Sequence, residues 1–191
     1  MRCHENADTA GRVPTTMRPD RKITRLRGYD YCQGGAYFIT ICVHRRWRRR
    51  SVWGQIREGK IYLNRFGSIV RDVWQELPQH HRVATDEFVV MPNHLHGILF
   101  LYGDQKDKPE ERGLGALKPA SLSVIVGAFK SAVTRRVGQL RGCPTKIWQP
   151  RFYDRIIRDE NELNRVRGYI IENPLNWPED EQNPAHPNFI T

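Results

Sequence analysis

The sequence predicts an α+β domain, a ferredoxin-like sandwich with helices packed on a mostly antiparallel sheet. Three observations carry this. Strand-like runs alternate with stripes at helical spacing, in the order strand, hairpin, helix, strand, strand, helix, short strand, helix. The two middle strands are joined by a three-residue turn, which only an antiparallel pair can use. No internal repeat or linker divides the 191 residues into two cores.

The elements follow in order. Residues 1–27 are polar and basic; over 12–27, Arg12, Arg18, Arg21, Lys22, Arg25 and Arg27 face a lone Asp20, and the segment predicts a flexible arm. Ala36–Val43 is rich in β-branched and aromatic residues and predicts a strand. After the basic run His44–Arg50, residues 52–63 predict a hairpin turning near Glu58-Gly59-Lys60. Phe66, Ile69, Val70, Val73 and Leu77 fall on one helical face, with Asn64 placed to cap it. Glu87–Met91 and Leu95–Leu101 predict two strands around the turn Pro92-Asn93-His94. An exposed loop is expected over 102–119. Leu122, Ile125, Val126, Phe129, Val133, Val137 and Leu140 mark a long amphipathic helix. The last helix starts near Asp159, whose spacing to Glu162 matches a capping box, and must stop at Pro174. The domain division is thus an arm over 1–27, a folded domain over 28–177 and an irregular acidic, Pro-rich tail over 178–191.

Charge narrows the partners. Thirty-one Lys and Arg face 21 Asp and Glu, a formal charge of +10 with a pI near 9.8. Such a surplus selects polyanions, nucleic acid before an anionic membrane. No apolar run approaches the roughly 20 residues that span a bilayer, and the start Met1-Arg2-Cys3-His4 has no apolar signal core, so no membrane partner is expected. Cys3, Cys32, Cys42 and Cys143 are scattered without metal or disulfide spacing, which fits a reducing, cytoplasmic setting.

Three groups of residues could carry chemistry. His94-Leu95-His96 on a strand sends both imidazoles to one face, where they can hold a divalent metal with positions left open. Alone, such a pair is more often two surface or hydrogen-bonded core histidines than a metal pair. Tyr169 and Asn173 lie one turn apart on the last helix, at the edge of the stripe Leu163, Val166, Ile170. There the phenol can reach a cleft, or the ring can simply pack with a wet tip and Asn173 end the helix. Finally, no acidic residue occurs from Arg112 to Tyr153. Arg45, Arg46, Lys130, Arg135, Arg136 and Arg151 are the candidate phosphate contacts. Tyr153 is an aromatic among them that could stack an unpaired base. A solvated basic face is the plain alternative.

Taken jointly, these stretches match a known pattern. Gly28-Tyr-Asp-Tyr31, Gly35–Cys42, Phe88–Gly97, Ala128-Phe-Lys-Ser131, Trp148–Ile157 and Tyr169–Pro174 resemble the REP-associated tyrosine transposases. These are relatives of the single-strand insertion-sequence transposases within the HUH nucleases. The resemblance runs in order over about residues 21–177. It implies an HUH nuclease fold and a metal-dependent enzyme that cleaves and rejoins single-stranded or hairpin-forming, REP-like DNA. His94 and His96 match the metal-binding histidines, Asn173 the amide that completes the metal site, and Tyr169 the nucleophile that forms a 5′-phosphotyrosine. Tyr153, the rival nucleophile, is read as packing or DNA contact. The donor set suits Mg²⁺ or Mn²⁺. The resemblance also implies a bacterial, nucleoid-associated protein, and leaves monomer and homodimer open.

Two other readings compete. A non-catalytic, domesticated nucleic-acid-binding protein could keep the same fold, although retention of His94, His96, Tyr169 and Asn173 together argues against decay. A zinc hydrolase would need a third His, Cys or carboxylate ligand and an acidic base, and the sequence offers no clear one.

Overall fold

The computed structural model describes residues 34–102, 121–187 and 189. The arm expected over 1–27 and, Tyr102 apart, the loop expected over 102–119 lie outside them.

Strand β1 (Gly35–Cys42) lies inside a four-stranded sheet, between β5 (His94–Leu101) and β6 (Tyr153–Ile157), and β4 (Val83–Val90) adds to the far side of β5. All three pairings are antiparallel. The chain leaves β1 through the hairpin β2 (Gly54–Arg57) and β3 (Lys60–Leu63), then α1 (Arg65–Gln75) and the single turn α2 (Leu77–His80), before β4. A second crossover, α3 (Leu122–Arg141), links β5 to β6, and α4 (Glu160–Glu172) follows. Two crossovers that interleave four strands in this way make the predicted ferredoxin-like sandwich.

Alternation along the strands builds two cores. Tyr37, Ile39 and Ile41 of β1, with Leu95, Leu99 and Leu101 of β5, face α1 and α3, where Trp74, Phe129 and Val133 meet them. Phe38 of β1 and Ile98 of β5 face the other way, toward Leu163 and Ile170 of α4. Gly97 sits where β5 presses on α1. A Cβ there would come within 2.4 Å of the Trp74 ring, so only glycine permits this approach.

Local signals explain the element ends. Asn64 accepts from the amides of Phe66 and Gly67 and starts α1. Glu58 and Gly59 both take positive φ, the geometry of a tight hairpin turn. Asp159 caps α4 by accepting from Glu162 N, while the Glu162 carboxylate accepts from Arg158 N, one residue before the usual partner.

Several boundaries differ from expectation by a residue or more, and two of these have a plain physical cause. His94 belongs to β5 and not to the turn, because its amide register with Cys42 of β1 is kept. β4 begins at Val83, four residues before the predicted Glu87. Its pairing with β5 shifts between Thr85 and Phe88, so Asp86 and Glu87 together oppose Ile98, a bulge that breaks the alternation. The last described segment, after the 3-10 turn Trp177–Glu179, forms no strand or long helix but folds back on the sheet. No helix among the described residues is long and apolar enough to cross a membrane.

Candidate functional site

The site lies on the α4 face of the sheet, at the end where β1 finishes and β5 begins. His94 and His96 leave β5 on the same side, with ring centroids 4.5 Å apart. Each ring is held from behind through Nδ1. For His96 the partner is Thr40 Oγ1 at 2.8 Å, its direct neighbour in the β1–β5 register. For His94 it is Asn93 Oδ1 at 2.9 Å. The Asn93 amide nitrogen donates to the carbonyls of Arg48 and Gln182, so its oxygen is left to accept. His94 therefore carries its proton on Nδ1 and turns the Nε2 lone pair into the site.

Three buried polar atoms in this region have no hydrogen-bond partner: His94 Nε2, Asn173 Oδ1 and Asp180 Oδ2. The other Asp180 oxygen accepts from Gln182 N, which fixes the carboxylate with Oδ2 3.7 Å from His94 Nε2. One donor atom each from His94, His96 and Asp180 lies within 4.8 Å of the others. Burial holds both imidazoles neutral: His94 is pushed well below its ordinary pKa, helped by His96 and Arg48, and His96 falls to about 3. Neutral rings beside a carboxylate, with His94 Nε2 left without a hydrogen-bond partner, suit a divalent cation.

Tyr169 enters from α4, its hydroxyl 3.4 Å from His96 Nε2 and its ring edge-on to Phe38. Phe38 in turn stacks on His96. Burial raises the phenol pKa and the Asp180 charge raises it further, while a hydrogen bond from the Asn173 amide opposes both. The groups share a cavity of about 500 Å³ lined by Thr40, His96, Tyr153, Tyr169, Asn173 and Asp180.

Of the residues singled out in the sequence, the structure gathers His94, His96, Tyr169 and Asn173 at this one place. Tyr153 pairs with Thr40 at the sheet edge and lines the same cavity, half-exposed. The basic candidates divide. Arg45 and Arg46 are exposed on the 3-10 turn after β1, and Arg135 and Arg151 are exposed too. Lys130 donates to the carbonyls of Gln149 and Arg151, and burial lowers its pKa to about 8. Arg136 forms a two-pronged pair with Glu76 that ties α3 to the end of α1. For those two the protein's own groups account for the charge.

Asp180 was not visible in the sequence. A carboxylate placed to join the two histidines as a third donor comes from the tail, and one carboxylate in the run Glu179-Asp180-Glu181 gives no signal of its own. Asn93 and Thr40, which orient the histidines, were not singled out either.

No family model matches the chain. A Haemophilus influenzae protein of uncharacterised function is 34% identical over 172 residues, 84% of this chain and 92% of its own length. A second H. influenzae protein, named for the REP-associated tyrosine transposases, is 26% identical over 151 residues, 76% of this chain and 73% of its own. Among solved structures, a REP-associated tyrosine transposase bound to a REP hairpin superposes with a TM-score of 0.56. That match covers 80% of this chain and 73% of the other at 22% identity, and it shows the fold. The chain is thus similar in sequence to a protein named for the REP-associated tyrosine transposases, and it shares the fold of a solved REP-associated tyrosine transposase.

Proposed function

We propose that this protein cleaves and rejoins one strand of hairpin-forming DNA, with Tyr169 as nucleophile and with His94, His96, Asn173 and Asp180 holding Mg²⁺ or Mn²⁺. The observation that carries the reading is the Tyr169 hydroxyl 3.4 Å from His96 Nε2, beside three buried polar atoms that lack partners. A cation bound there supplies positive charge against the scissile phosphate.

The chain's own groups do the rest. Thr40 and Asn93 hold the imidazoles so that both Nε2 atoms point inward. The phenol begins protonated, since its ordinary pKa near 10 leaves about one in a thousand ionised at neutral pH and burial raises it further. Asn173 donates to the phenol oxygen and favours loss of that proton as the oxygen meets phosphorus. The new Tyr169 O–P bond forms as the P–O3′ bond breaks, the phenolic proton passing to solvent and the leaving 3′ oxygen taking one from it, which leaves a 5′-phosphotyrosine and a strand with a free 3′-hydroxyl. Attack by a 3′-hydroxyl reverses the step, so rejoining needs no external energy. A hydrolase reading now has a third ligand in Asp180, but it leaves a tyrosine at the mouth of the site without a role.

The test is incubation with hairpin oligonucleotides that carry a single-stranded flank, read on a denaturing gel. A covalent protein–DNA adduct is expected with the wild type and Mn²⁺, and none with Tyr169→Phe. An adduct on Tyr169→Phe overturns the assignment.

A further inference from the structure

Where β1 ends, the chain turns at Arg45–Trp47 and packs residues 50–53 against the last turns of α3. The Trp47 indole N–H donates to the Lys146 carbonyl at 3.0 Å, which fixes the plane of the ring. The guanidinium carbons of Arg46, Arg50 and Arg141 sit 5.8, 5.6 and 5.8 Å from its centroid. None of the three has a carboxylate partner among the described residues. Beside them is a cavity of about 180 Å³, walled by Trp47, Trp53, Phe66 and Val137 and bordered by Arg50 and Arg141.

Size and chemistry select the occupant. The space is below the roughly 300–1,000 Å³ that encloses a drug-sized molecule, so it takes a single ring system. Its walls are aromatic and aliphatic, and its polar edge is cationic. An acidic peptide would satisfy the arginines and leave the aromatic slot empty. A nucleotide unit fills both, with the base among the rings and the flanking phosphates on the guanidiniums.

We propose that this cavity takes one unpaired nucleobase of the bound strand and thereby sets where the strand lies at the nucleophile. The proposal rests on the single-strand DNA reading of the site. The coupling is structural: the amides of Val52 and Trp53, in the cavity wall, donate to the Pro92 carbonyl at 2.8 and 3.0 Å. Pro92 immediately precedes Asn93 and His94, so the base and the phosphate are held at a fixed offset. Trp53 and Val137 belong to the core on the α3 side of the sheet. The strand would thus pass around the sheet end from one face to the other.

An abasic scan along a hairpin oligonucleotide with a single-stranded flank tests this by equilibrium binding. Removal of the base at one position is expected to weaken wild-type binding about tenfold, or about 1.4 kcal/mol. In Trp47→Ala the same removal costs less than about twofold, and Trp47→Phe, which keeps a ring, restores the effect. Should Trp47→Ala fail to fold, 2-aminopurine at that position decides with the wild type and Trp47→Phe. Its fluorescence is quenched on binding if the base stacks. A flat scan on the wild type, or an equal penalty in Trp47→Ala, overturns the proposal. Adducts are read on the same samples; their absence on the wild type counts against cleavage, while the binding scan still judges the cavity.

Discussion

Asn93 presents its side-chain oxygen to His94 Nδ1 at 2.9 Å because its nitrogen is already engaged by two carbonyls, those of Arg48 and Gln182. One side chain thus fixes a tautomer, a loop and the tail. Partners behind a metal-ligating histidine commonly change metal affinity by about 10–100-fold when removed. Asn93→Ala is expected to weaken Mn²⁺ binding within that range, as measured by calorimetric titration. Unchanged affinity would mean that His94 does not depend on this orientation.

His94→Ala and His96→Ala are each expected to remove metal-dependent cleavage while hairpin binding persists, since phosphate contacts dominate affinity. Gel-shift and cleavage assays on the same preparations separate the two effects. Full cleavage by the wild type in excess EDTA would eliminate the metal from the reaction.

Acid should loosen α4. Arg167 on α4 bonds both oxygens of Asp86 at the β4 bulge, at 3.0 and 2.6 Å. These bonds hold the carboxyl below its ordinary pKa, against a smaller opposing effect of burial. A depressed folded-state pKa stabilises the protein above the unfolded value near 3.9, and the contribution is lost as pH falls through the folded value. The difference in Tm between wild type and Asp86→Asn should therefore be constant from pH 7 to about 5 and shrink below pH 4. A constant difference down to pH 3 would refute the pairing.

Two glycines should respond with opposite signs. Gly97→Ala drives a Cβ into the Trp74 ring and is expected to cost about 1–3 kcal/mol, the range for overpacking. Gly127, exposed within α3, has nothing within 4 Å of a Cβ. Gly127→Ala is expected to stabilise by about 0.5–1 kcal/mol. Chemical denaturation of both variants checks the signs.

The apolar stripe of α3 is buried against the sheet, with Ile125, Phe129 and Val133 nearly inaccessible. That helix is therefore not offered to a major groove as a duplex reader's helix would be. A hairpin with a single-stranded flank should be cleaved and the same sequence as perfect duplex should not, with affinity falling steeply as salt rises. Equal rates on both forms at one salt concentration would refute it.

What the sequence could reveal followed from short-range patterning. β1 was legible because Ala36–Val43 is dense in β-branched and aromatic residues, and α1 because Asn64 caps a regular stripe. The start of β4 was not, since two bulge residues opposite Ile98 break the period. The charges of Lys130 and Arg136 were plain, but their partners Gln149, Arg151 and Glu76 are set by packing alone. Likewise His94, His96, Tyr169 and Asn173 could be named from their motifs. Asp180 reaches His94 only through the turn after α4 and the anchoring of Gln182 by Asn93, and no local pattern encodes that.

The position of β1 has a consequence for biosynthesis. It emerges from the ribosome first among the strands of the main sheet, yet both of its edges are covered only by later segments, β5 and then β6. At about 5–20 residues per second, the interval from Cys42 to Ile157 lasts on the order of ten seconds. Through that time an apolar strand, Tyr-Phe-Ile-Thr-Ile-Cys, has at least one open edge, the arrangement most prone to wrong pairing. Yield of native protein should therefore depend on chaperone supply and growth temperature more than equilibrium stability alone would suggest.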